Sequence, residues 1–315
     1  MTKEISLVGY TGFVGSNIYR HGSISDVYNS KNIQSAFGKK PDVLIYAGIR
    51  AEKYIADKFP EKDFESICNA IENIKKINPK KLVLISTIDV YPEPYEVYED
   101  ATINEKILKP YGKNRIYLEK WVEDNISEFT IIRLPGLFGE NIKKNFIYDY
   151  IYRIPKLLSE KKFEELCVVN PSLREYYFIN DKGFYECKVL TEKSRMYLLD
   201  MFEKMQFSAL NFTDSRGIFQ FYNLQNLYGD IKIALNNNLN KVNLATEPIS
   251  IAELYQYLTG KIFKNEISIT IPHYNFKTRY ADYFGGQEGY IYNKRQILDD
   301  IDNFVKNKSP LYIER

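Results

Sequence analysis

Five short apolar runs, set among segments of helical periodicity, restrict what this chain can become. They are "ISLVG" (5–9), "DVLIYAG" (42–48), "KLVLIST" (81–87), "FTIIRLP" (129–135) and "KVNLATEP" (241–248). Each is rich in Val, Ile or Leu and lacks polar alternation, as a strand of a parallel sheet covered on both faces requires. Between them, "DFESICNAIENIKKI" spaces Phe64, Ile67, Ala70, Ile71 and Ile74 along one helical face, and "LQNLYGDIKIAL" repeats Leu224, Leu227, Ile231 and Leu235. Strands alternating with helices predict an α/β fold with a doubly wound parallel sheet.

Residues 141–210 break that rhythm. "NPSLREYYFINDKGFYECKVL" reads as irregular or antiparallel structure and "KSRMYLLDMFEKM" as a helix, while the stretch from "NEISITIPHYNF" onward is again not βαβ. The expectation is a nucleotide-binding domain from 1–140 and 211–250, with a smaller mixed α/β substrate lobe from 141–210 and 251–315.

Charge and composition narrow the function classes. Forty-three Lys+Arg against 41 Asp+Glu give a formal net charge of +2, with no basic stripe, so a nucleic-acid partner has little electrostatic support. No run approaches the length of a membrane span, and "MTKEISLVGY" enters a strand-like run without a signal-peptide pattern. Cys68, Cys167 and Cys187 have no metal-ligand spacing, and two histidines cannot build a metal cluster alone. A cytoplasmic protein with no metal site and no membrane partner is expected. The 27 tyrosines, with abundant Lys, Asn and Ile, fit an AT-rich coding bias.

"SLVGYTGFVGSNIYR" places Gly9, Gly12 and Gly15 between the first strand and the first helix, around Tyr10, Thr11, Phe13 and Val14. Glycines there let the backbone turn tightly and approach a pyrophosphate, which rests on the helix's free N–H groups. A purely structural turn is the alternative. The spacing G-x-x-G-x-x-G resembles the extended short-chain dehydrogenase/reductase family, and further matches follow in that family's order. They are "DVLIYAG", "ISTIDVYPE", "PYGKNRIYLEKW", "IIRLPGLFG", "SRGIFQFYNLQNL" and "LATEPISIAEL", covering most of 1–140 and 214–256.

The resemblance implies a Rossmann-like fold, a bound NAD(P) cofactor touching the glycine loop and the Ala47–Gly48 turn, and a nucleotide-sugar substrate. After the second strand, "SDVYN", stand Ser30 and Lys31 instead of a carboxylate. A hydroxyl and an ammonium suit a 2′-phosphate, so NADP(H) is preferred, with NAD(H) open. Ser30 as a helix N-cap and Lys31 as a solvated side chain is the alternative. The short link from Asn29 to Pro41 omits the small strand that usually walls the adenine pocket.

By the same resemblance Tyr111 is the acid/base and Thr87, 24 positions earlier, the hydroxyl that polarises a carbonyl, with Ser86 as the alternative hydroxyl on the substrate side. Arg115 stands where the family has lysine; positions i and i+4 share a helical face, so its charge falls near the Tyr111 ring. Glu119 keeps the family's frame. Arg216 aligns with an arginine that contacts the substrate pyrophosphate, and Lys143 and Lys144 add charge. The reaction implied is NAD(P)H-dependent reduction of a keto nucleotide sugar, of the 4-ketoreductase type, in cell-envelope or polysaccharide sugar biosynthesis. A nucleotide-sugar 4-epimerase and a non-catalytic nucleotide binder are the alternatives, and a homodimer is implied.

Overall fold

The structure, a computed structural model, describes residues 4–308. Its centre is a parallel sheet built from β1 (Ile5–Val8), β2 (Asp26–Tyr28), β3 (Val43–Tyr46), β4 (Lys81–Thr87), β5 (Phe129–Leu134) and a sixth strand, Lys241–Asn243. In space the order is Lys241–Asn243, β5, β4, β3, β1, β2. Helices α1 (Phe13–His21), α2 (Lys53–Lys58), α3 (Pro60–Ile77) and α4 (Pro110–Asn125) lie between the strands in the chain.

The unbroken apolar runs divide between two cores because successive strand residues point to opposite faces. Leu7, Ile45, Val83 and Ile132 share one cluster with Ile18, Leu227 and Ile231. Their neighbours Val8, Leu44, Leu82 and Ile131 join Ile67, Ile71, Ile74, Leu118 and Val122 in the other. Phe64 departs from the expected helical face: it is exposed on α3 and meets Tyr117 of α4 edge-on, 5.1 Å between ring centroids. The last apolar run is a ladder only over Lys241–Asn243, although Leu244 and Ala245 stay buried.

β2 is an edge strand, with nothing paired beyond it among the described residues. Between Tyr28 and Val43 the chain makes one 3-10 turn, Ile33–Ala36. The segment after Ser30 is therefore not an α-helix, and Ser30 caps none. Asn29 and Asn32 shape the connection instead: Asn29 N–H donates to Asn32 Oδ1, and Lys31 N–H donates to Asn29 Oδ1.

The chain divides into two compact units. Among the described residues, the first holds Glu4–Ile142, Ile218–Ser250 and Pro272–Ile301, and the second Lys143–Gly217, Ile251–Ile271 and Asp302–Lys308. Residues 272–301 thus belong with the parallel sheet and 211–217 with the lobe, a different division from the sequence expectation. The second unit has its own core of Phe163, Tyr177, Leu198, Met201 and Phe202 and a three-stranded antiparallel sheet, Leu157–Leu158, Tyr185–Cys187 and Tyr177–Ile179. No helix among the described residues is long and apolar enough to cross a membrane.

Candidate active site

The glycine loop folds back on the carboxyl ends of β1 and β3. Gly9 has φ +94°, and a Cβ there would lie 2.5 Å from the Ala47 carbonyl oxygen; a Cβ on Gly15 would lie 2.1 Å from that of Gly9. Only glycine permits both approaches. Helix α1 then starts at Phe13 behind Gly12, which brings no capping side chain, and its first turn holds no acidic residue. The positive end of the helix is left to an anion. Thr11 and Gly12 are exposed beside it, Phe13 and Val14 half-buried, and Tyr10 packs edge-on against Tyr19. Ala47 and Gly48 follow β3, and Ser30 and Lys31 lie exposed past the end of β2. This cradle fits a dinucleotide's pyrophosphate.

Tyr111 sits in the first turn of α4, with Pro110 ahead of it, and is 6% exposed. Its neighbour Gly112 brings the helix onto the turn after β4: a Cβ there would lie 2.1 Å from the Asp89 carbonyl oxygen. Thr87 closes β4. Its Oγ1 accepts the Asp89 N–H at 3.2 Å and donates to Asp89 Oδ2 at 3.0 Å.

Two ion pairs flank the Tyr111 ring. The Arg115 guanidinium carbon lies 4.4 Å from the ring centroid, and the terminal nitrogens donate to Asp63 at 2.9 and 3.0 Å and to the Arg50 carbonyl at 2.8 Å. Lys53 Nζ lies 6.0 Å from the same centroid and contacts Asp89 Oδ2 at 2.6 Å. Burial pushes the Tyr111 phenol above its usual value; Arg115 and Lys53 pull it down, but Asp89 and Asp63 oppose them. Burial works against the Lys53 ammonium, yet the Asp89 carboxylate overrides it and holds the amine's pKa above normal.

Arg115 therefore lies against the Tyr111 ring, and Thr87 is linked to this cluster through Asp89, in the same unit as the glycine loop. Ser86 points elsewhere, because adjacent strand residues face opposite ways. Its hydroxyl donates to Glu119 at 2.5 Å, inside a buried network in which Arg133 binds both Glu119 oxygens. It is a core residue, correcting its expected substrate-side place. Arg216, Lys143 and Lys144 belong to the second unit. Arg216 grips Asp214 through Nε and a terminal nitrogen and also donates to the Ser268 carbonyl, while both lysines are exposed. Sequence reasoning missed Lys53, Asp63 and Asp89. Only Asp89, two residues past Thr87 in "STID", carried a local signal.

Comparisons with known proteins give the family. Residues 21–194, more than half of the chain, match the NAD dependent epimerase/dehydratase family. A bifunctional UDP-glucose 4-epimerase and UDP-xylose 4-epimerase of Pisum sativum is 28% identical over 119 residues, 35% of this chain and 34% of that protein. The chain thus spans about a third of the length of this curated relative. DNA polymerase IV of Ureaplasma parvum is 25% identical over 192 residues, 58% of this chain and 50% of that one. UDP-N-acetylglucosamine 4-epimerase of Methanobrevibacter ruminantium superposes with a TM-score of 0.62 at 13% identity, covering 96% of this chain and 97% of that one. dTDP-4-dehydrorhamnose reductase of Bacillus anthracis, in complex with NADP, also gives 0.62 at 13%, covering 98% and 99%. With a family match over more than half its length, the chain belongs to the NAD dependent epimerase/dehydratase family, of the extended short-chain dehydrogenase/reductase type.

Proposed function

We propose that the protein reduces a keto nucleotide sugar with NAD(P)H, in the manner of a 4-ketoreductase, in cell-envelope or polysaccharide sugar biosynthesis. One observation carries the direction of the reaction. Tyr111 is buried, and each cation beside it is already paired with its own carboxylate, so the phenol keeps its proton. A protonated phenol is ready to donate to the oxygen of a carbonyl undergoing reduction. An epimerase begins by taking a proton from a hydroxyl and needs a readier phenolate.

When bound, the nicotinamide supplies the hydride. The chain does the rest. The uncapped start of α1 and Gly9, Gly12 and Gly15 receive the pyrophosphate, and Ser30 and Lys31 favour a 2′-phosphate, hence NADPH over NADH. Thr87 turns its hydroxyl from Asp89 to the carbonyl oxygen, and Tyr111 delivers the proton there. Arg216 is the pyrophosphate contact proposed for the substrate, with Lys143 and Lys144 adding charge.

The test is cofactor titration followed by assays with 4-keto nucleotide sugars. Tyr111→Phe is expected to retain NADPH binding and lose about 10²–10⁴-fold in turnover. A purified protein that carries tightly held NAD and interconverts 4-hydroxyl epimers without net NADPH consumption would sink the reductase reading in favour of the epimerase. A cytoplasmic homodimer is part of the proposal: the exposed Phe64–Tyr117 pair marks an apolar patch spanning α3 and α4. Sedimentation at micromolar concentration, giving a monomer, would remove that part.

A further inference from the structure

We propose that Lys53, anchored by Asp89, supplies the mobile cation of this site, while Arg115, at the motif position, is a fixed charge held in the pair that ties α4 to α3. The inference rests on the reading of Tyr111 as proton donor and adds a residue which neither the motif spacing nor the family match assigns.

Arg115 is committed. Its side chain is 4% exposed, its partner Asp63 8%, and both terminal nitrogens are engaged by Asp63 and the Arg50 carbonyl. Asn114 also donates to Asp63, at 2.9 Å, so the cluster holds the start of α4 against α3. Arg115 lowers the phenol's pKa more than Lys53 does, but it is fixed: its fork cannot turn to a bound molecule without leaving Asp63 as an unpaired buried charge.

Lys53 differs in each respect. Its side chain is 52% exposed. It opens α2, seven residues after β3 ends, at the carboxyl edge of the parallel sheet, where open α/β sheets bind their ligands. Its carboxylate partner is the group that also receives the Thr87 hydroxyl. Ammonium, carboxylate and hydroxyl thus form one connected chain beside the Tyr111 ring. An ammonium has three donors, so Lys53 can keep Asp89 and still turn a proton toward an incoming oxygen.

As Tyr111 gives up its proton, negative charge develops on the phenol oxygen, and a mobile ammonium nearby lowers the cost of that charge. The groups facing Tyr111 are Arg115 on its own helix, Asp63 on α3, Lys53 on α2 and Asp89 after β4; Tyr274 faces Lys53. Lys53 acts through Tyr111 and is in that sense a positioning residue.

The test uses the full chain without ligand. A fluorinated tyrosine at position 111, acidic enough to titrate while lysine stays charged, is followed by fluorine NMR. Lys53→Gln is expected to raise the phenol midpoint by about one pH unit, Lys53→Arg to restore it, and Asp89→Asn to lower it. In turnover, the basic limb of the pH–rate profile moves up with Lys53→Gln, because the donor stays protonated to higher pH. An unmoved midpoint in a folded Lys53→Gln variant overturns the proposal whatever the enzyme's turnover. Absence of NADPH-dependent turnover in wild type would instead overturn the reductase reading, and the two failures are read separately.

Discussion

Arg115 looks at first like a substitution that substrate chemistry would reverse, yet its surroundings argue the opposite. Lysine cannot reproduce a fork that meets both Asp63 oxygens and the Arg50 carbonyl. Arg115→Lys is therefore expected to destabilise the protein by about 1–3 kcal/mol in urea unfolding and to leave turnover no faster than wild type. A variant of equal stability with faster turnover would return Arg115 to the catalytic set. The same position shows what was legible. Tyr111, Thr87 and Arg115 come from spacing along one strand and one helix, which sequence displays directly. Asp63 and Lys53 lie 52 and 58 positions from the residues they meet, Arg115 and Tyr111, and only the packing of α2 and α3 beside α4 brings them there. Ser86 was misplaced because a hydroxyl's identity does not reveal which face of the strand it takes.

At the scale of elements, α4 is pinned at two places, its first turn and its middle. Near its start Gly112 touches the Asp89 carbonyl, and two turns on Glu119 meets Arg133 of β5 and Ser86 of β4 in a network closed by Tyr91 and Asn243. Burying Arg133 and Glu119 together is tolerable because each charge and most polar atoms find partners. Gly112→Ala would place a methyl 2.1 Å from a backbone oxygen, so helix or turn must move. The expected result is a loss of about 1–3 kcal/mol and, since a shift near 1 Å misplaces Tyr111, roughly 10²-fold lower turnover with NADPH binding retained. Unchanged turnover would show that the contact does not set the tyrosine. Strands were readable from apolar runs because both sheet faces are covered, but the end of the Lys241–Asn243 ladder was not: Leu244 still donates to the Arg133 carbonyl of β5, while the Ala245 carbonyl turns to the Ile291 N–H.

For the molecule as a whole, the ionisation of one interior carboxyl links folding to pH. Asp230, on the helix Leu227–Asn236, accepts hydrogen bonds from the Tyr222 and Tyr292 hydroxyls, and burial pushes its carboxyl from 3.8 up to about 6. Between those values the folded chain holds a proton that the unfolded chain has released. Stability from this group is therefore full below about pH 4, falls as pH rises toward 6, and stays low above it. The loss at pH 7 is about 3 kcal/mol at most. Asp230→Asn keeps an acceptor for the tyrosines and cannot ionise, so it should match wild type near pH 4 and exceed it at pH 7. Asp149, in the second unit, is raised to about 7 by burial and adds a slope of its own, which cancels in the difference between wild type and variant. Denaturant unfolding of both proteins at pH 4, 5, 6 and 7 decides the matter. Parallel stability curves across that range would mean that Asp230 titrates as a solvated carboxyl and that its two tyrosines do not keep water away.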